Sequence, residues 1–216
     1  MTQLNMEQRS EEWFNARLGI PTTSGFGEIV TVTGARTSGD KRKVYMMKLV
    51  CEEMLGERMG DDISNMKWPA HGIKYENQAA YTLAQMAGLE LAEGQFFKRL
   101  GCGSSPDRLV VSGGNYRGKG GVEIKCPAPW THMQTLLYGP NDKYLIQTQG
   151  QMLICELDYV HFFSFHPQMP SYHAVFLPQP TFQSKLAKEL KEFVKELEVA
   201  KIEARSKGEY RRSNSS

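Results

Sequence analysis

The stretch Gly121-Val122-Glu123-Ile124-Lys125-Cys126-Pro127 reads as a β-strand delivered by a glycine-rich loop and stopped by proline. Side chains along a strand alternate between two faces, so Glu123 and Lys125 share one face while Val122 and Ile124 share the other. Just upstream, Ser104-Ser105-Pro106-Asp107-Arg108 places a second carboxylate on a turn. Two carboxylates offer hard oxygen ligands to a divalent cation, and a neighbouring ammonium can activate water or meet developing negative charge. That is the chemistry of phosphodiester hydrolysis. Taken alone, a Glu-x-Lys pair is equally a surface salt bridge on an edge strand, so the segments on either side decide between the readings.

On the N-terminal side, His71-Gly72-Ile73-Lys74-Tyr75-Glu76-Asn77-Gln78-Ala79-Ala80-Tyr81 opens a helix that continues through Ala87 and ends at Gly88. Ile73, Ala80, Leu83 and Ala84 fall near its apolar face, with Glu76 beside it. On the C-terminal side, the segment from Tyr144 to Ile154 is helix-compatible and carries Gln147 and Gln151 four residues apart, hence on one face. A glutamine there can orient water or bridge to a carboxylate without adding charge. Ordinary helix polarity is the alternative for each.

The order G-x-x-x-E, S-P-D, E-I-K-C-P and Y-x-x-Q-x-Q resembles the bacteriophage lambda exonuclease family, the YqaJ-type viral recombinases among the restriction-endonuclease-like nucleases. The opening Trp13-Phe14-Asn15-Ala16-Arg17-Leu18-Gly19-Ile20-Pro21-Thr22-Thr23-Ser24 is similar to that family's W-x-x-x-R-x-G-x-[IV]-x-[AT]-S. The resemblance runs from Glu12 to about Phe165 and is most specific in the S-P-D and E-x-K-C-P pairing. It implies an α/β fold with a restriction-endonuclease-like core, a mixed central β-sheet flanked by α-helices. The activity implied is Mg²⁺-dependent 5′ to 3′ digestion of one strand of linear duplex DNA, leaving a 3′ single-stranded overhang for recombination by strand annealing.

By the same resemblance, Asp107, Glu123 and the backbone carbonyl of Ile124 hold Mg²⁺, and Glu76 helps hold a second ion, with Mn²⁺ able to substitute. Lys125 positions or deprotonates the attacking water, and Gln147 steadies the site from the opposite wall. Arg17, Ser24 and Ser105 form a 5′-phosphate pocket, although Arg17 is otherwise a helix end and Ser24 an N-cap. Tyr144 and Trp68 are further candidates, Trp68 either as an apolar wedge between strands or as a core residue. The implied partners are double-stranded DNA ends, two further copies in a homotrimer, and a phage-type single-strand annealing protein. A site-specific endonuclease would use the same carboxylates and lysine, whereas a non-catalytic binding protein would not need them intact.

Composition agrees with a single nuclease domain over 1–216, with a catalytic core over about 10–178, an amphipathic helix over about 179–206 and a polar tail over 207–216. The chain has 216 residues, 40% of them hydrophobic, enough for one sizeable core. No long uncharged apolar run suggests a membrane span, and the opening lacks a signal peptide's apolar middle, so a cytoplasmic location in a bacterial host is expected, with a phage or prophage as the source. Cys51, Cys102, Cys126 and Cys155 lack C-x-x-C spacing and read as reduced packing residues. A net charge of +2 is only mildly basic, so DNA binding needs a focused channel. Lys41-Arg42-Lys43, Lys67, Lys74, Lys98-Arg99, Arg108, Arg117 and Lys119 are its candidates.

Spacing further predicts helices over about 10–19, 24–30, 43–55 and 131–138. Strands are expected over 90–99, 102–105, 109–112, 121–125, 159–166 and 173–177. Of the five histidines, His132, His161, His166 and His173 have no metal-ligand spacing.

Overall fold

The computed structural model describes the backbone of residues 1–59 and 67–213, and the side chains of these except 67–71, 73 and 208–213. The Glu123 strand, here β6 (Gly120–Lys125), lies at the centre of a five-stranded mixed sheet. Its antiparallel neighbour is β5 (Arg108–Gly113), followed outward by β2 (Leu89–Glu93). On the other side it pairs in parallel with β7 (Tyr159–Ser164), which pairs antiparallel with β8 (Tyr172–Phe176). Parallel neighbours need a crossover, supplied by α4 (Pro129–Tyr138) and α5 (Asp142–Cys155). A smaller antiparallel sheet of β1 (Thr2–Leu4), β3 (Phe96–Arg99) and β4 (Cys102–Ser104) stands beside it.

The alternation along β6 divides the interior into two cores. Val122 and Ile124 pack with Phe163, Phe165, Ala79, Ala80 and Leu83, the last three from α3 (Lys67–Ala87). The opposite face carries Glu123 and Lys125 toward α5. Beyond it, Ile146, Met152 and Ile154 join residues of α2 (Lys41–Leu55) and α6 (Pro180–Ser213) in the larger core. Helix α5 can lie against the 3₁₀ helix Thr23–Glu28 because residue 150 is glycine: a Cβ there would sit 2.6 Å from the Phe26 ring. That close approach brings Ser24 to the Glu123 face.

Several boundaries differ from those the spacing predicts. The first helix, α1 (Glu11–Asn15), is a short piece rather than one over 10–19. The chain turns through Arg17 to Gly19, which takes φ +66°. The 24–30 helix is 3₁₀, consistent with two glycines in its six residues. The stretch 90–99 is two strands in different sheets, β2 and β3, separated at Gly94, where a Cβ would lie 1.7 Å from the Pro106 carbonyl oxygen. Helix α6 continues to Ser213, beyond the expected end near 206, so the polar stretch 207–213 is helical. Strand β1 has no counterpart among the expected elements. Its three residues are too few for an alternation pattern to show.

Two of the histidines form a pair, His161 buried and His173 partly so. His161 Nδ1 lies 2.8 Å from His173 Nε2 with the rings stacked, while His161 Nε2 is buried and unpartnered. Burial, with the neighbouring His173, lowers the His161 pKa from 6.5 to about 4. A depressed pKa stabilises the fold above the unfolded-state value, and that stability is lost as pH falls toward the folded one. Denaturant midpoints are therefore expected to fall between about pH 6.5 and 4, and His161→Phe should flatten that slope. An unchanged slope in the variant would assign the acid sensitivity to other groups.

Candidate active site

Glu123 is 2% exposed, so its charge must be met by neighbours. Lys125 Nζ pairs with its Oε1, which also accepts a hydrogen bond from the Gln147 amide at 2.7 Å. Its Oε2 accepts one from the Gln151 amide. The i, i+4 spacing on α5 thus delivers both glutamines to one carboxylate. Gln149, on another face of α5, donates instead to the Leu177 carbonyl at 2.8 Å and accepts from the Gln179 amide, a packing role. Gln151 is the residue that choosing Gln147 alone overlooks, although its spacing was the available signal.

Asp107 enters from the turn before β5. Its Oδ2 accepts the Ile124 amide at 2.6 Å. Along a strand a residue's N–H and C=O point to the same edge, so the Ile124 carbonyl opens beside Asp107, beyond the last β5–β6 pair, Arg108 with Val122. Burial, then the charges of Glu123 and Glu76, hold the Asp107 pKa well above the usual carboxylate range, against Lys125 and the Ile124 amide. Burial acts to lower the Lys125 pKa, but Glu123 and Asp107 outweigh it and raise it, leaving a fixed cation. The ammonium also sits 5.3 Å from the centre of the Tyr144 ring.

Glu76 approaches from α3 already paired with cations. Its Oε1 meets Arg108 at 3.1 Å and its Oε2 meets Arg9. Neither arginine carries a sequence signal for this role, because both pairings span more than thirty residues.

A cavity of about 500 Å³ opens on the Lys125 side, with Arg17, Ser24, Tyr144 and Gln147 among its walls. Arg17 lies 4.1 Å from the centre of the Trp13 ring, and its Nε is buried without a hydrogen-bond partner. Burial, and secondarily Arg58, lower its pKa to about 10, so it stays charged at neutral pH. Ser105 does not line this cavity. Its hydroxyl accepts from the Trp13 indole at 3.2 Å and from Gln8 at 3.0 Å, beneath the Arg17 stack. The side chain of Trp68 lies outside the described residues.

The cations that line the cavity with Arg17 and Lys125 are Lys48, Arg58 and Lys143, a different set from the one expected. Arg42 instead pairs with Glu196, Arg99 with Glu156 and Arg108 with Glu76. Sequence lists cationic residues without telling which are spent on carboxylates.

The residues present suit an oxygen-liganded divalent cation in part. Asp107, Glu123 and the Ile124 carbonyl are hard donors, and the burial and like-charge repulsion that raise Asp107 are what such an ion offsets. Among the described residues, however, no three acidic, histidine or cysteine side chains converge as a ready-made metal group. Glu76 faces its arginines.

The family model for the YqaJ-like viral recombinase domain matches residues 12–158. Among solved structures, an alkaline exonuclease (LHK-Exo) from Laribacter hongkongensis matches with TM-score 0.79 at 27% identity, over 93% of this chain and 99% of that one. LHK-Exo in complex with dAMP matches with TM-score 0.77 at the same identity and coverage. A phage-related exonuclease from Haemophilus somnus 129PT shares the fold, with TM-score 0.61 at 15% identity, over 87% of this chain and 98% of that one. No curated protein matches the chain.

Proposed function

The chain belongs to the YqaJ-like viral recombinase domain family, and from that premise we propose that it is a DNA exonuclease of recombination, a deoxyribonuclease acting as one nuclease domain. In the fuller reading it is Mg²⁺-dependent, with Mn²⁺ able to substitute, and digests one strand of linear duplex DNA 5′ to 3′ to leave a 3′ overhang. The observation that carries it is the single cavity joining Arg17, whose buried Nε lacks a partner, to Lys125 beside Glu123 and Asp107.

Asp107, Glu123 and the Ile124 carbonyl would hold the cation, which when bound supplies Lewis-acid stabilisation of the attacking and leaving oxygens. Gln147 and Gln151 orient the Glu123 carboxylate by holding one oxygen each. Lys125 places its charge at the cavity wall, where it positions water and meets charge developing on the phosphate. Arg17 presents an unpaired donor to a terminal phosphate, with the exposed Ser24 hydroxyl in the same wall. Ser105 supports the Trp13 platform on which Arg17 stacks. A homotrimer, an annealing-protein partner and a bacterial cytoplasmic setting complete the proposal on family resemblance. Among the described residues no helix is long and apolar enough to cross a membrane.

The test is linear duplex DNA labelled separately at each end, bearing 5′-phosphate or 5′-hydroxyl, with Mg²⁺ or chelator, beside a closed circle. Mg²⁺-dependent loss of the 5′-labelled strand with the circle intact supports the exonuclease; nicking of the circle favours an internal cutter. Arg17→Ala is expected to erase the preference for 5′-phosphorylated ends, about 10- to 100-fold for a charge-assisted contact. Equal cutting of both end types by the parent protein would remove the pocket from the proposal.

A further inference from the structure

Glu76 carries two arginines of unlike character. Arg108 is 6% exposed and meshed into its surroundings: besides Glu76 it donates to the Asp107 carbonyl at 2.6 Å and to Asn77 at 2.6 Å, and it pairs with Glu93 at 3.2 Å. Such a buried group cannot leave without breaking several polar contacts at once. Arg9 reaches the other Glu76 oxygen from residues 5–9, and its side chain is 47% exposed. Its backbone takes φ +69°, a left-handed conformation that side chains other than glycine rarely adopt.

That conformation is held from both sides. Ser10 caps α1 through the Trp13 amide, and the Ser10 amide donates to the Glu7 carbonyl at 3.1 Å. Gln8 is tied to Ser105 and to the Pro106 carbonyl. The segment therefore aims Arg9 at an acidic residue of the site at a conformational cost, a pattern associated with functional positions. Arg9 also borders a cavity of about 550 Å³ shared with Glu76 and Arg108, which leaves space for its side chain to move aside.

Two cations are committed to Glu76, Arg108, which it shares with Glu93, and Arg9, which has no second carboxylate in the cluster, while Lys125 is committed to Glu123. A divalent cation arriving at Glu76 finds its carboxylate already neutralised. We propose that Arg9 is a positioning residue that occupies Glu76 as an internal counter-ion and competes with a divalent cation for it, so that the cation can engage Glu76 only by displacing Arg9. The inference rests on the reading of Asp107 and Glu123 as the primary cation ligands. Its consequence is a second cation bound more weakly than the first, at a strength set by a residue that touches neither substrate nor the reacting atoms.

The test is calorimetric titration of the DNA-free protein with Mg²⁺ alone. Arg9→Gly suits the left-handed backbone, so the variant should fold. It is expected to bind Mg²⁺ about tenfold more tightly, the effect of removing one competing charge-assisted pair. Arg9→Lys should restore weak binding, and the gain should vanish when Arg9→Gly is combined with Glu76→Gln. A gain that survives Glu76→Gln, or no gain at all, overturns the inference while leaving the proposed function standing, provided that the parent's binding depends on Asp107 and Glu123. No Mg²⁺ binding by parent or variant overturns both.

Discussion

Lys125→Ala is expected to bind duplex DNA ends as the parent does and to lose cleavage by about 1,000-fold, within the range for removing a positioned acid–base or charge-stabilising group. The geometry separates the two effects. Lys125 touches Glu123 and lies over Tyr144 at one edge of the cavity, whereas Arg17, Lys48, Arg58 and Lys143 contribute the remaining cationic lining. Loss of one of five cations therefore weakens association little. It removes the ammonium next to the carboxylates, where charge develops. Single-turnover cleavage with binding measured in parallel is the check, and a variant that cuts at the parental rate would falsify the role given to Lys125.

Asp107→Asn should abolish cleavage by a similar or larger factor and, in the metal-free protein, raise thermal stability. Burial and the nearby Glu123 and Glu76 charges hold the Asp107 pKa well above its ordinary value. The sign follows from linkage: a carboxyl with a raised folded-state pKa favours the fold while protonated and costs stability once pH rises through that value. The asparagine variant carries no such penalty, so its advantage should grow from mildly acid to alkaline pH. Adding Mg²⁺ should stabilise the parent and not the variant, by the linkage of ligand binding to folding. A metal-free variant less stable than the parent across the whole range would show that the Asp107 carboxylate is held by its surroundings rather than strained by them. Trading stability for a charge-crowded site is the usual compromise of catalytic clusters.

The core of this architecture was legible because its decisive signals are local. Period-two alternation put Glu123 and Lys125 on one face, and i, i+4 spacing put Gln147 and Gln151 on another. Glycine and proline marked the ends of β6 and α3. The misread boundaries lie where local pattern is silent. The run 90–99 reads as strand on both sides of Gly94, and it is at Gly94, packed against the Pro106 carbonyl, that it divides between two sheets. The short α1 ends where Arg17 must turn to stack on Trp13.

The site divides the same way. Sequence by itself singled out the candidates for the chemistry, among them two carboxylates, a lysine, a glutamine pair and an arginine, because residue type and spacing along one strand and one helix are written in the chain. Only the tertiary structure decided how their charges are spent: Glu76 on Arg9 and Arg108, Glu123 on Lys125 and both glutamines, Ser105 under Trp13, and Arg17 left with an unpaired donor. Pairings between residues tens of positions apart depend on which faces the sheet and helices present to one another. Electrostatic energy depends on that separation in space, and one-dimensional spacing does not encode it.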